Sequence, residues 1–204
     1  MAALTAAEAS IEERSLSIVK AAYRVMSRRG VHRVPLTEVA DEAGVSKGLV
    51  LYHYGSKDAL VLAALEWVLR GTARRLRAAV ESSEDTLDAI RAVVAAVWRN
   101  PQANRDFFRF YLDGVEHQTR VDGFDSLGAT ATEIIEGHYA EILGEAMYAG
   151  SIPATDLTEA AATMRAIVEG FFLQWLQRAD WEDSHAEYRQ RCTTAVLAAV
   201  GVAR

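Results

Sequence analysis

Interruptions of a helical pattern constrain the fold of this 204-residue chain more than any other feature. Its three prolines, at positions 35, 101 and 153, each stand where apolar residues spaced three and four apart lose their period. No alternation of polar and apolar residues lasts long enough to predict a sheet. We therefore predict an all-α fold in which Ser10 caps the first helix. The predicted helices are residues 11–30, 36–43, 46–53, 57–80, 84–99, 101–113, 125–149, 155–179 and 184–202.

The composition narrows the class of protein. Hydrophobic residues make up 50% of the chain and charged residues 25%, as in a globular protein, which excludes wholesale disorder. Cys192 is the one cysteine in the sequence and leaves no partner for an internal disulfide. No apolar run reaches the roughly 18 residues that span a bilayer, and the N-terminus lacks the pattern of a signal peptide. The sequence thus predicts a cytoplasmic protein with no membrane partner.

The charges are distributed unevenly along the chain. Residues 11–60 hold eight lysines and arginines against six acidic residues, whereas the rest of the chain holds 14 against 22. A net charge of −6 and an acidic pI of 5.4 argue against nonspecific coating of DNA. A small basic face on an acidic body is still compatible with a specific reader of nucleic acid.

The segment Pro35–Leu60 contains the most informative pattern. It predicts two short helices, 36–43 and 46–53, separated by a turn at Gly44, where a left-handed backbone costs little. Ser46 is a good N-cap for the second of these helices. Two short helices that cross at such a turn are typical of a helix-turn-helix, although the same turn also occurs in helical proteins that do not bind DNA.

In a helix-turn-helix, the exposed side chains of the second helix lie in the major groove of DNA. Lys47 could donate to guanine or phosphate, Gly48 would let the backbone approach closely, and Leu49 could touch a thymine methyl. Tyr52 and His53 can donate to phosphate oxygens, contacts that fix orientation without reading the sequence.

A second anion-binding feature follows at Ser56-Lys57-Asp58. With Ser56 as the N-cap, the unpaired amides at the start of helix 57–80 attract an anion, and Lys57 adds a positive charge at the same place. This combination predicts a phosphate clamp beside the second short helix. A lone lysine on a helix surface is, however, more often simply solvated.

Together these pieces resemble the N-terminal domain of the tetracycline-repressor (TetR/AcrR) family. The resemblance covers about 48 residues, Ile18–Leu65, and rests on RRG after the first helix, VADEAGVSKG across the turn, the Tyr-His-Tyr cluster and GSKDAL. It implies a homodimeric, ligand-responsive bacterial transcription regulator, usually a repressor, whose partner is a double-stranded DNA operator.

The resemblance also implies roles for single residues. Lys47, Gly48 and Leu49 match positions that contact bases, His53 and Lys57 match phosphate contacts, and Thr37 matches a position that often touches the DNA backbone. The predicted DNA-binding set is Thr37, Ser46, Lys47, Gly48, Leu49, Tyr52, His53 and Lys57. Two positions depart from the family: Leu51 stands where tyrosine is common, and Pro35 replaces the usual Ser/Thr before the second helix. Tyr52 could supply the contact that Leu51 cannot.

The rest of the chain predicts a second domain. We expect residues 1–56 to form the DNA-binding domain and residues 57–204 to form a ligand-binding and dimerisation domain. Aromatic residues concentrate in the second, where a cavity lined by them would bind a small hydrophobic ligand; the same rings could equally be plain core. The predicted ligand-binding set is Trp98, Phe108, Tyr111, His117, Met164, Phe171 and Trp175.

The last two helices predict the dimer. Helix 155–179 has two apolar faces and must be covered twice, and helix 184–202 offers small residues that permit close helix contact. These patterns favour a four-helix bundle between two copies of the chain, unless both helices are interior to one protomer. The predicted interface residues are Ile167, Gly170, Tyr188, Cys192, Ala195, Val196 and Ala199.

Motifs of catalysis are missing from the sequence, which contains no glycine-rich phosphate loop, no G-x-S-x-G and no HExxH. His138 and Glu141, one turn apart, could share a metal, but a metal site needs three or four converging ligands. We therefore predict no enzyme activity, no cofactor and no metal. The alternatives to a ligand-released repressor are an activator, a regulator controlled by a protein partner, and a helical small-molecule binding protein or enzyme whose helix-turn-helix is purely structural.

Overall fold

A computed structural model describes residues 6–118, 129 and 132–202 of the chain. Within those ranges the chain is almost entirely helical and contains no strand, so the predicted all-α fold is confirmed. The helices are α1 Ala6–Arg29, α2 Leu36–Ala43, α3 Lys47–Tyr54, α4 Lys57–Glu81, α5 Thr86–Val97, α6 Pro101–Gln118, the π-helical turn Thr132–Glu136, α7 Gly137–Tyr148, α8 Leu157–Leu176 and α9 Trp181–Ala199.

The described residues form two compact units. The first contains residues 6–68 and 109–118, and the second contains residues 69–108, 129 and 132–202. Two of the boundaries fall inside long helices, after Val68 in α4 and after Phe108 in α6, so each of these helices contributes one part to each unit. The boundary predicted at residue 56 separates a DNA-binding domain from a ligand-binding domain, whereas the two units here are separated by their internal packing. The functional boundary stays a prediction.

Small apolar side chains build the core of the first unit. Helix α1 packs on α2, and α2 packs on α3. Ile18, Ala22 and Met26, spaced four apart along α1, have no exposed surface, and neither do Val39 of α2 and Val50 of α3. The spacing of four residues places the α1 side chains on one helix face, as the sequence pattern predicts.

Two predicted helix starts lie inside the helices that the structure shows. Helix α1 begins at Ala6, so Ser10 lies within the helix rather than at its N-cap. Helix α9 begins at Trp181, and the hydroxyl of Ser184 donates to the carbonyl of Asp180 in its first turn, at 2.8 Å. Serine can bond to the backbone inside a helix as well as cap its start, so its position in the sequence does not identify the first residue.

Helix α2 has the predicted bounds, α4 and α6 start where predicted, and the other helix ends differ from the prediction by a few residues. Aspartate side chains set two starts: Asp85 accepts from the amide of Asp88 at 2.8 Å, and Asp156 accepts from the amide of Thr158 at 2.9 Å. Helix α6 continues to Gln118 instead of ending at 113. The predicted helix 125–149 is described from residue 132 onward apart from residue 129, and residues 125–128 lie outside the described part of the chain.

Stacked aromatic rings pack the core of the second unit. The ring of Trp98 lies nearly parallel to that of Phe172, with centroids 3.9 Å apart, and Phe108 stacks on Phe172 at 4.0 Å. Trp175 meets Trp98 edge-on at 5.8 Å. Such aromatic pairs contribute roughly 0.5–1.5 kcal/mol each beyond the area they bury. The stack therefore joins the end of α5 to α6 and α8.

A buried histidine lies beside this stack. His185 Nε2 is 2.9 Å from Asn104 Oδ1, while the Asn104 amide nitrogen donates to the carbonyl of Val97 at 2.8 Å. Because that amide oxygen can only accept, His185 Nε2 carries the hydrogen. Burial lowers the pKa of His185, and the nearby Arg189 lowers it further. The folded protein therefore holds this imidazole in its neutral form.

The folded state should lose stability when acid protonates His185. Because its pKa is lower in the folded chain than in the unfolded chain, the unfolded chain takes up the proton first. The free energy of unfolding should fall as the pH drops from about 7 through the folded pKa. Urea denaturation across this range should show a shallower fall for His185→Gln than for the wild type.

The matched control is His32→Gln, at a histidine whose side chain is 59% exposed. It should keep the pH dependence of the wild type. Equal pH dependence in the wild type and in His185→Gln would contradict the assignment.

Candidate nucleic-acid interface

The turn between α2 and α3 has the geometry that its sequence predicts. Gly44 ends α2 with φ 68° and ψ 33°, the left-handed conformation that glycine adopts at little cost. The amide of Val45 then donates to the carbonyl of Ala40 at 2.9 Å. At the other end of α2, no side chain caps the helix, and the carbonyl of Pro35 accepts from the amide of Glu38 at 3.1 Å.

Helix α3 is anchored to the first unit along one side. Ser46 Oγ accepts from the amide of Leu49 at 3.2 Å, which confirms Ser46 as its N-cap. Val50 is fully buried. At the last residue, the Tyr54 hydroxyl donates to the carbonyl of Ser15 at 2.8 Å and lies 2.7 Å from the Ser15 hydroxyl. Burial raises the pKa of Tyr54, so its hydroxyl keeps the hydrogen that it donates.

The other side of α3 is open to solvent. Lys47 and Gly48 are exposed, and Tyr52 has 79% of its surface exposed. The ring of His53 meets that of Tyr52 edge-on, with centroids 5.5 Å apart, and so helps to orient it. Leu49 is half-buried, with part of its side chain still accessible. This face offers the Lys47 ammonium and the Tyr52 hydroxyl as hydrogen-bond donors. Gly48, which has no side chain, lets a partner approach the helix backbone closely.

The start of α4 confirms the predicted cap. Ser56 Oγ accepts from the amide of Ala59 at 3.1 Å, and Gly55 makes the preceding turn with φ 71°. Lys57 follows as the first residue of the helix and is half-buried. Burial lowers the pKa of Lys57, and Asp58 opposes that shift. An ammonium that is already partly dehydrated and lies at a helix N-terminus is well suited to an anion.

The structure therefore places the predicted DNA-contacting residues in one unit, and none of them is buried. Thr37 is exposed in the first turn of α2, and the others lie at the cap of α3, on α3 itself or at the start of α4. Their roles in binding stay predictions. What the geometry adds is that all of them have surface available to a partner.

One residue that supports this unit is not predicted from the sequence. Asp113 of α6 accepts from the backbone amide of Val31, at 2.8 Å, in the connection between α1 and α2. Gly30, with φ 90°, precedes that amide. The two partners are 82 residues apart, so no local spacing could indicate their contact.

Part of the predicted ligand-binding set is packed in the core of the second unit. Trp98, Phe108 and Trp175 contact the ring of Phe172, which links them, and Met164 is 2% exposed. Since these rings stack directly on one another, they act as core in this arrangement. A ligand pocket among them stays a prediction.

The other members of that set lie elsewhere. Tyr111 is buried in the first unit, and the side chain of His117 lies outside the described part of the chain. Phe171 is half-buried and faces α9, with its centroid 6.4 Å from Tyr188 and the guanidinium of Arg191 5.7 Å from its ring. The predicted set is therefore not one cluster, because neighbouring residues on a helix point to different sides.

The predicted dimer interface needs correction at three positions. Tyr188 is 8% exposed, and Cys192 and Val196 are fully buried within the protomer. Burial raises the pKa of Cys192 to about 12, as expected of a thiol packed in a core. A side chain covered by its own protomer offers no surface to a second copy. The remaining members, Ile167, Gly170, Ala195 and Ala199, keep accessible surface.

The described residues provide neither a metal site nor a membrane-spanning helix. They contain no group of three His, Cys, Asp or Glu side chains able to hold a metal ion. His138 Nδ1 lies 3.3 Å from Glu141 Oε2, which makes this pair a local contact on α7. None of the described helices combines the length and the apolar character needed to cross a bilayer.

Removal of the Ser46 hydroxyl should loosen α3. Ser46→Ala deletes the acceptor for the Leu49 amide and should cost about 1 kcal/mol of local stability. Hydrogen–deuterium exchange should then become about fivefold faster in residues 47–54 and remain unchanged in α5. Ser82→Ala, which removes a hydroxyl that donates to a carbonyl at the other end of α4, should leave exchange in α3 unchanged. Equal exchange in α3 of Ser46→Ala and wild type would contradict the anchoring role of the cap.

Comparison with known proteins finds a family match in the N-terminal part of the chain. Residues 18–64 match the sequence model of the bacterial regulatory proteins of the tetR family. The HTH-type transcriptional regulator BetI of Brucella canis is 30% identical over 114 residues, which are 56% of this chain and 58% of that relative. The matched part thus spans little more than half the length of the relative.

Solved structures agree with the fold. A TetR-family transcriptional regulator from Rhodococcus sp. superimposes with a TM-score of 0.79 at 24% identity, covering 93% of this chain and 100% of that one. A transcriptional regulator from Saccharomonospora viridis, in complex with choline, gives a TM-score of 0.77 at 23% identity, with coverages of 91% and 96%. At such identities these structures show the fold alone. The chain therefore resembles the bacterial regulatory proteins of the tetR family over residues 18–64, within a fold that those structures share.

Proposed function

We propose that this protein is a homodimeric transcriptional repressor that binds a palindromic DNA operator and leaves it when a small hydrophobic ligand binds. The observation that carries the proposal is α3, a helix of eight residues with one anchored side and one open side. The family match over residues 18–64 and the naming of BetI as a transcriptional regulator support it. Such a regulator acts in the cytoplasm, where its DNA is, and performs no catalysis.

On DNA, the open side of α3 would enter the major groove. Lys47 and Gly48, at its first turn, would lie near base edges, since the N-terminal residues of a recognition helix make those contacts. Tyr52 would donate to a phosphate and so replace the tyrosine that the family commonly has at the position of Leu51. Lys57 and the amides at the start of α4 would bind a second phosphate and fix the orientation of α3.

Lys57→Ala should weaken binding to every DNA sequence. It removes one phosphate contact, so the slope of log affinity against log salt concentration should become shallower by about one. Fluorescence anisotropy with labelled DNA from upstream of the protein's own gene, over a series of stated salt concentrations, measures both quantities. Arg91→Ala, at an exposed arginine of the second unit, should leave the slope unchanged. A slope unaltered by Lys57→Ala would count against the clamp.

The same titration separates the classes of function. If the folded protein binds no upstream fragment, the alternative of a helical small-molecule binding protein or enzyme takes the place of the regulator. If it binds DNA but no ligand releases it, an activator or a regulator controlled by a protein partner fits better.

The proposed dimer interface consists of those predicted interface residues that are not buried within the protomer. Ile167 and Gly170 on α8 and Ala195 and Ala199 on α9 keep accessible surface, and small residues allow helices of two copies to approach closely. A twofold dimer would present the two copies of α3 to successive major grooves, about 34–36 Å apart.

Ala195→Arg should separate the dimer. A long charged side chain on this face would be buried without a partner, and sedimentation velocity at micromolar concentration should show a shift from dimer to monomer. Ala186→Arg, at an exposed position on the same helix, should remain dimeric. A monomeric wild type, with and without DNA, would refute the dimer.

The ligand part of the proposal rests on Trp98. Its buried indole N–H has no oxygen or nitrogen acceptor within the described residues. The Cys192 thiol, a weak acceptor, lies beside it, and a hydrogen bond from the indole lowers the pKa of that thiol. A ligand atom that accepts this hydrogen more strongly than sulfur does would gain energy from the contact. The Saccharomonospora viridis structure holds choline, and aromatic rings attract quaternary ammonium groups. Choline is therefore a cationic alternative to a hydrophobic ligand and the first compound to assay for release of DNA.

A further inference from the structure

The second unit contains a surface groove that the proposed regulator does not use. It lies between the C-terminal part of α4 and the segment formed by the π-helical turn and α7. Two adjoining hollows of about 270 and 280 Å³ make up the groove, and Arg77 and His138 line both of them. Their volumes suit a small molecule rather than a macromolecule.

Apolar side chains form part of the lining. Ala73 of α4, Ile134 of the π-helical turn and Ile142 of α7 are each less than a tenth exposed. Val80 adds a half-buried side chain near the end of α4. An alkyl chain placed along these residues would bury its surface against them.

The α4 side of the groove carries two arginines and also Glu81, whereas the other side carries carboxylates, among them Glu133. Arg74 and Arg77, three residues apart on α4, are exposed on one side. Glu141 and Glu145, one turn apart on α7, are exposed on the other. Within the described ranges, neither arginine forms an ion pair with either glutamate, although Glu141 Oε2 lies 3.3 Å from His138 Nδ1. The charges of Arg74, Arg77 and Glu145 are therefore available to an occupant that lies between the two sides.

Ion pairs do form elsewhere in this unit where the side chains meet. Arg165 contacts Glu136 at 2.8 Å and Glu169 at 2.7 Å, joining α8 to the π-helical turn. The contrast indicates that the groove holds its arginines and carboxylates apart, with space between them.

We infer that this groove binds a small zwitterion with a carboxylate at one end and a primary ammonium at the other. The planar guanidinium groups of Arg74 and Arg77 match a carboxylate, and the carboxylates of Glu141 and Glu145 accept hydrogen bonds from an ammonium. None of the described residues that line the two hollows is Phe, Tyr or Trp. A quaternary ammonium, which donates no hydrogen bond and is recognised by aromatic faces, therefore fits this groove worse.

This occupant differs from the hydrophobic ligand of the proposed function, and its binding does not depend on DNA. The groove is open to solvent and charged, whereas the aromatic stack is buried and apolar. A failure of this inference would therefore leave the proposed regulator function standing, and a failure of the regulator proposal would leave this inference standing.

Isothermal titration calorimetry with the full chain tests the inference. The probes are 6-aminohexanoate and 4-aminobutanoate, which carry both charges, together with hexanoate and hexylamine, which each carry one. At least one of the two amino acids should bind, and it should bind about tenfold or more tightly than either one-ended compound, because both sides of the groove are then used. Absence of binding by both amino acids, or equal affinity for the one-ended compounds, would overturn the inference.

Two substitutions test which side of the groove binds the carboxylate of the ligand and which side binds its ammonium. Arg77→Gln should weaken binding of the amino acid and of hexanoate while sparing hexylamine, and Glu145→Gln should weaken the amino acid and hexylamine while sparing hexanoate. Both side chains are exposed, so neither change threatens the fold. Arg91→Gln and Glu84→Gln, at exposed positions outside the groove, are the matched controls and should bind as the wild type does. Affinities in Arg77→Gln and Glu145→Gln that match the controls would refute the assignment.

Discussion

A helix of eight residues does not hold its shape alone in water, so the account of this protein depends on how α3 is held. Ser46 pairs an amide at its start, Val50 buries its middle, and the Tyr54 hydroxyl binds Ser15 at its end. Val50 and Tyr54 lie on the side that packs against the rest of the first unit, and Ser46 fixes the start of the helix. The opposite side of α3 is exposed, and the anchors hold it in place. Because the helix is already ordered, little conformational entropy is lost when this side binds a partner.

The second unit combines two environments that favour opposite ligand chemistries. The stack around Phe172 is dry and apolar, and one buried donor, the Trp98 indole, stands out within it. The groove beside Arg77 and Glu145 is wet and carries both signs of charge. A molecule suited to one would bind poorly at the other, because an apolar core excludes a zwitterion and an open charged groove gains little from an aromatic body.

Local features of the fold follow from the sequence, and distant ones do not. The turn at Gly44 and the caps at Ser46 and Ser56 depend on residues that are close together in the sequence. Their pattern can therefore be recognised from the sequence alone. The bond between Asp113 and Val31 joins residues 82 apart and leaves no such pattern. The interface prediction failed at Cys192 and its neighbours for a related reason. Helical periodicity shows that a helix has two apolar faces, but it does not show which face its own protomer covers.

Selection of DNA sites from a random duplex library by the full-length protein tests the central claim most directly, because such a library assumes no operator sequence. If paired copies of α3 read successive major grooves, the enriched sequences should form a palindrome with half-site centres about 10 base pairs, or a multiple of that, apart. Substitution of Lys47 by alanine should relax the preferred bases without abolishing the palindrome. A folded protein that enriches no sequence, or enriches a motif without twofold symmetry, would contradict the account.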